Sequence, residues 1–410
     1  MKKYTVQEII VKLILLFPIT TLIQDYVSFF NKIVFMVTML MLMFYVIKKN
    51  RIKISVFLWI LLALFNYCFA LLNTSTHALS INYNMAFYYI FFVFYFLYFI
   101  QNYRNIDNIM YNNKKFLLCN IYLYTFLLTI SIFIPNCYTK IDAGGWGNTN
   151  YFVSFSGSPN RLGPASVFVF VMVLYCYYKQ ISKYILLCTF PLIYGFFMAG
   201  SRTYFVLGIL CVIIMLYSVV NEKKWFWLSI VPIGIVLYYV TIQSAMMNKF
   251  NATVVRNDSI YFFLAKFTNS RSLFWEKQLR LFQNESMLKK IFGAGINYTS
   301  DKVGIWAHND FIEILCSYGY IGLICYCLTI FFALKKFLSF KKGNRFYSLI
   351  CVAIWIFNAF FNFFYCYFCA MLSYPLLLSI ISMIESKNGI QKETTMSKSF
   401  NNSDIGDYII

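Results

Sequence analysis

The sequence predicts an all-α polytopic membrane protein, and three observations carry that prediction. The chain has 410 residues, 60% of them hydrophobic and 12% charged, where an ordinary soluble domain carries about 25% charged residues. Apolar stretches long enough to cross a hydrocarbon core recur from end to end, each closed by a polar or basic connection. Lys and Arg crowd into alternate connections, the asymmetry that orients helical membrane proteins.

The reading gives about 12 transmembrane helices, at roughly 9–24, 29–47, 54–72, 84–100, 116–134, 164–178, 182–199, 203–220, 226–244, 309–333, 347–363 and 365–384. The first holds Lys12 and Pro18. No small-x-small cleavage site follows it, so it reads as a span and not as a removable signal. With both termini in the cytoplasm, the internal segments hold 21 Lys and Arg. Apart from its long loop, the outer face holds only Lys32, Lys140, Arg161 and Arg202. The same bias accounts for much of the +20 net charge, so nucleic-acid binding is not required. Residues 1–384 form a single transmembrane domain, and 385–410 read as a disordered cytoplasmic tail, polar and without periodicity. The 12 cysteines lie mostly inside apolar spans. Cys366-Tyr367-Phe368-Cys369 has C-x-x-C spacing but lacks the soluble context of a redox motif.

Two outer loops stand apart from the short connections. One covers 135–163 and contains Gly144-Gly145-Trp146-Gly147 and Ser156-Gly157-Ser158-Pro159-Asn160-Arg161. The other, at 245–308, precedes a late helix. Long loops on one face of a rigid bundle mark its working face. The large loop has nine basic and four acidic residues, a net +5. Loops near 60 residues escape the positive-inside bias, so this charge is either tolerated there or prepared for an anionic ligand. Within the loop, residues 270–283 read as an amphipathic helix. At 100° per residue Arg271 and Trp275 share a face, and Arg280 points to the opposite side. Gly293-Ala294-Gly295 reads as a turn.

Few side chains in this chain could do chemistry. Arg202, in Gly200-Ser201-Arg202-Thr203, opens a span. Its guanidinium cannot lose a proton and either snorkels to head groups or meets an anion; the small flanking residues favour the anion. Arg271 is either a solvated helix face or a second phosphate clamp. His308 is the large loop's base of near-neutral pKa, placed where Ala307-His308-Asn309-Asp310 leads a polar loop into an apolar helix. His77 reads as incidental. Asp310 and Glu313 do not complete a metal site: His308 and Glu313 would lie about 140° apart on a helix, and no H-x-x-x-H pair occurs. No cofactor motif is present, so the energy for any reaction comes from an activated substrate or a gradient. Trp146, Trp275 and Trp306 are sugar-stacking surfaces or interfacial anchors.

Taken together, Gly-Ser-Arg-Thr at a span start, Arg271-x-x-x-Trp275, Gly293-Ala294-Gly295, and His308-Asn309 followed by Gly319 and Gly322 resemble the O-antigen ligase/polymerase superfamily of the Wzy and WaaL type. The motifs cover about 150–333, and the topology covers the whole chain. The resemblance implies inverting, metal-independent glycosyl transfer from an undecaprenyl-pyrophosphate donor at the periplasmic face of a bacterial inner membrane. It implies Arg202 and Arg271 on the donor pyrophosphate and His308 as the base. Arg161, Arg280, Trp275 and Asn309 are further substrate-binding candidates. The partners it implies are an undecaprenyl-pyrophosphate-linked oligosaccharide, membrane lipid and a chain-length regulator protein, with no nucleic acid. A polymerase extending lipid-linked repeats is expected ahead of a ligase acting on lipid A core. The rival from another class is a lipid-linked oligosaccharide flippase or transporter; the internal repeats and mid-membrane polar groups of such proteins are not seen.

A reporter active only outside the cytoplasm, fused after Asn160 or Asp258, is expected to be active, and after Lys115 or Lys342 silent. The reverse pattern would turn the topology over.

Overall fold

A computed structural model describes residues 5–49, 54–74, 83–140, 150–219, 271–338 and most of 356–383, with scattered positions between 228 and 239. The described residues are 82% helical with little sheet. Among the described residues four helices are long and apolar enough to cross a membrane: Ser28–Lys48, Lys114–Ile132, Pro159–Tyr178 and Asp310–Phe332. Leu58–Leu72, Phe87–Phe99, Ile185–Met198 and Thr203–Leu216 are shorter apolar helices. This is consistent with an all-α membrane protein. Most of the spans read at 226–244 and 347–363, the first part of the large loop, the tail, His77 and Trp146 lie outside the described residues.

In chain order the helices are α1 (Val6–Leu22), α2 (Ser28–Lys49), α3 (Ile54–Leu72), α4 (Tyr83–Asn112) and α5 (Lys114–Ile132). A small antiparallel hairpin follows, β1 (Tyr138–Lys140) with β2 (Asn150–Phe152). Then come α6 (Pro159–Tyr178), α7 (Thr189–Met198) and α8 (Arg202–Val219). The large loop contributes α9 (Arg271–Gln283), α10 (Met287–Phe292) and α11 (Tyr298–Val303), ahead of α12 (Asp310–Leu338) and the short α13 (Cys369–Leu372). A capping box starts α1: the Glu8 amide donates to Thr5 Oγ1 at 3.2 Å, and the Thr5 amide donates to the Glu8 carboxylate at 2.9 Å.

Three elements differ from the sequence reading. Helix α6 starts at Pro159, not at 164, because Ser158 is extended and Pro159 suits the first helical position. Pro164 inside it cannot donate to the Asn160 carbonyl; the Tyr204 hydroxyl donates to that carbonyl instead, at 3.4 Å. The span read at 182–199 is broken into a 3₁₀ turn, Ile185–Cys188, and α7. Pro191 enforces the break, since its ring would clash with the carbonyl four residues back in a continuous helix. The loop read at 135–163 contains the hairpin, which the tyrosine and phenylalanine rings of Tyr138 and Phe152 hold against Tyr194.

Helix α6 is the centre of the bundle. It is 83% buried along its apolar window, against 39–56% for the other three long helices. Helices α1, α5, α7 and α8 surround it. The opposite condition holds for α2 and α3, which expose Leu40, Phe44, Ile47, Leu58, Leu61 and Phe65. Water would penalise a contiguous apolar surface of this kind, and lipid would not.

The late helix α12 is broken at Gly319, whose φ and ψ are 70° and −171°. A break in an apolar helix frees main-chain groups that need partners. The Gly293-Ala294-Gly295 segment supplies some: Ala294 donates to the Cys316 carbonyl at 3.1 Å and Gly295 to the Ser317 carbonyl at 3.3 Å. Buried Asn66 of α3 donates to the carbonyls of Phe292 and Tyr318 at 2.8 and 2.7 Å. A Cβ on Gly319 would lie 2.5 Å from the Ile291 carbonyl oxygen, so only glycine fits between the two backbones. Gly319→Ala and Asn66→Leu are each expected to cost about 1–3 kcal/mol, read as a lower thermal unfolding midpoint in detergent. Unchanged midpoints in both would mean that the break is held by something else.

Candidate functional site

One end of the bundle gathers the starts of α6, α8, α9 and α12 around residues 360–362 and 365–367. Arg271, the first residue of α9, donates through Nη1 to the main-chain carbonyl of Phe361. The Thr203 hydroxyl donates to the same oxygen at 3.3 Å. This shared acceptor sets the start of α8, and with it the main chain of Arg202, beside the Arg271 guanidinium. Burial draws the Arg271 pKa below its ordinary value, and the Tyr204 and Tyr367 hydroxyls oppose that shift. A guanidinium nonetheless stays protonated. Among the described residues no carboxylate forms an ion pair with Arg271. A half-buried cation is therefore held by the Phe361 carbonyl, with the Tyr204 and Tyr367 side chains within electrostatic reach.

His308 lies close enough to feel that charge. Burial first, and the Arg271 guanidinium second, lower its pKa from 6.5 to about 3. The imidazole is therefore neutral at physiological pH, with a nitrogen lone pair able to take a proton. Its backbone sits in the left-handed region at φ 49°, a conformation that non-glycine residues seldom adopt.

The neighbours of His308 explain how it is kept there. Asn309 Oδ1 accepts the Ile312 amide at 3.2 Å, which makes Asn309 the N-cap of α12. Trp275 Nε1 donates to the Ala307 carbonyl at 2.5 Å, and Gln278 Nε2 to the Ile305 carbonyl at 2.9 Å. Helix α9 thus straps the strand of chain that leads into His308. Asp310 is fully buried and accepts from the Tyr326 hydroxyl and the Tyr365 amide.

Arg161 forms an ion pair with Asp25, their side chains 35% and 47% exposed. Both Arg161 and Arg271 lie within electrostatic reach of Tyr367, which also hydrogen-bonds the Asn160 side chain. Tyr204 packs against α6 where Gly163 lacks a side chain; a Cβ there would lie 2.0 Å from the Tyr204 ring. Arg280 is elsewhere: its side chain is 75% exposed and paired with Glu276, one turn back on α9. The face argument for α9 thus separates the two arginines as the structure does.

The structure brings together Arg271 and His308, the main chain of Arg202, and, through Tyr367, Arg161. Trp275 and Asn309 are engaged with main-chain groups. Sequence reasoning missed Tyr204, Tyr367, Asp25 and the Phe361 carbonyl. Tyr204 was findable, since it follows Arg202-Thr203 by one position; Phe361 carried no signal, because a carbonyl belongs to every residue. Among the described residues no three His, Cys, Asp or Glu side chains gather closely enough to hold a metal ion. No family model matches the chain, and no curated protein matches it either.

The shift at His308 has a sign that can be tested. Its folded pKa lies below the unfolded value of 6.5, so the unfolded chain binds the extra proton first. Stability linked to this residue is complete above pH 6.5 and is lost as pH falls toward 3. His308→Gln is expected to flatten the fall in unfolding midpoint between pH 6.5 and 4, measured in detergent. A wild-type and variant pair with parallel pH curves would refute a neutral imidazole of lowered pKa.

Proposed function

We propose that this protein transfers a glycan from a polyprenyl-pyrophosphate carrier to a sugar hydroxyl, as a repeat-unit polymerase acting on lipid-linked oligosaccharide at the outer face of a bacterial inner membrane. The observation that carries the reading is Arg271: a half-buried guanidinium that forms no ion pair with a described carboxylate, within electrostatic reach of a half-buried neutral histidine. A site of that composition suits a ligand that brings its own negative charge.

The chemistry follows from the charges. The bond between the sugar anomeric carbon and the pyrophosphate oxygen breaks, and a bond from the acceptor oxygen to that carbon forms. The leaving polyprenyl pyrophosphate gains negative charge, which the cations of Arg271 and Arg202 would stabilise. The acceptor hydroxyl gives its proton to His308. Burial and the Arg271 charge together make His308 a weak base, and an anionic donor at Arg271 would offset the second of these causes. Arg161 would serve the same anion once Asp25 releases it. The sequence pattern and the apolar bundle support the lipid carrier, because a polyprenyl tail must be met where membrane and water adjoin.

Arg202→Ala, Arg271→Ala and His308→Ala are expected to stop elongation, leaving single-repeat surface glycan on a gel with normal amounts of protein in the membrane. The loss of one donor to a developing anion costs about 10²–10³ in rate. Arg280→Ala is expected to elongate normally. Normal chain length in the first three variants would sink the proposal; lipid-linked polymer left unattached after gene deletion would replace the polymerase with a ligase.

A further inference from the structure

We infer that Glu313 is a positioning residue for His308, acting through the main chain of Ala307, with Trp275 as its counterpart on the same residue. The inference rests on the reading of His308 as the base, and deepens it.

Glu313 lies one turn inside α12 and is 3% exposed. Buried carboxylates in apolar helices pair with cations or mark function. The described partners of this one are three neutral donors. Oε2 accepts from Thr299 Oγ1 at 2.6 Å and from the Ala307 amide at 3.1 Å, and Oε1 accepts from Ser317 Oγ at 3.2 Å. The Ala307 amide is the informative partner. Ala307 is 1% exposed and lies outside any helix or strand, so its main-chain groups depend on side chains. Glu313 takes the amide, and the Trp275 indole takes the carbonyl at 2.5 Å.

The consequence falls on the next residue. The peptide between Ala307 and His308 is fixed by that carbonyl bond, and the peptide before it by Glu313. On the far side Asn309 is committed as the cap of α12. His308 is therefore held between fixed peptides in a left-handed conformation, with only its side-chain torsions left to aim the imidazole. A packing role alone would not require an acceptor aimed at residue 307.

The full chain has only His77 and His308, so a His77→Gln background leaves one imidazole. Its carbethoxylation by diethyl pyrocarbonate at fixed pH reads the setting of His308 in purified protein with no substrate present. Glu313→Gln keeps an oxygen for the Ala307 amide and is expected to react as the parent does. Glu313→Met and Trp275→Phe are expected to change the rate several-fold. Thr299→Val, which removes another hydrogen bond from the same carboxyl, is expected to change nothing. Should Glu313→Met fail to fold, Trp275→Phe carries the test. In elongation assays Glu313→Met is expected to lower kcat about a hundredfold with KM held, the effect of misplacing a reacting group by about 1 Å, and Glu313→Gln to restore it. Glu313→Gln as disturbed as Glu313→Met, a Thr299→Val rate as altered as either, or unchanged His308 reactivity in Trp275→Phe would overturn the inference. Failure of the functional reading would show separately, as normal elongation by His308→Ala.

Discussion

The carbonyl oxygen of Phe361 ties one end of the bundle together. It accepts from Arg271 of α9 and from Thr203 of α8. Two helices far apart in sequence therefore share one anchor on a third segment. A guanidinium taken out of water needs hydrogen-bond acceptors, and a carbonyl can offer two lone pairs without cancelling the charge. A carboxylate in the same place would have consumed the cation. The site keeps a positive potential because its anchor is neutral.

That potential acts on everything nearby. It adds to the burial that depresses the His308 pKa, reaches Tyr204 and Tyr367, and sits beside the main chain of Arg202. Arg161 shows the other solution: it is more open to solvent and carries its own counter-ion, Asp25. The two arginines thus differ in readiness. One is held without a described acid, and the other would have to exchange one anion for another.

Much of this end was legible in the sequence. The period of α9 placed Arg271 and Arg280 on opposite sides, because helical spacing fixes direction whatever the surroundings. The polar-to-apolar step at Ala307-His308-Asn309 located the start of α12, since an N-cap must sit there. Other features were not legible. Gly319 breaks α12, yet glycine inside an apolar helix leaves the hydropathy pattern intact. What demands the break is the close approach of Gly293, which only the fold reveals. Pro164 made α6 look shorter than it is, because the hydroxyl that compensates for it comes from Tyr204, 40 positions on. The β1–β2 hairpin escaped because its strands are three residues each. Glu313 stood out as an acid in an apolar helix, but spacing alone tested it as a metal ligand and not as a main-chain acceptor.

The left-handed backbone at His308 separates two questions that a single substitution would merge. Most side chains are uncomfortable there, β-branched ones above all, whereas asparagine and aspartate settle into that region readily. Replacement at this position is thus filtered by torsional tolerance before any proton moves. An asparagine at 308 would change the chemistry while sparing the main chain; a valine would disturb both at once.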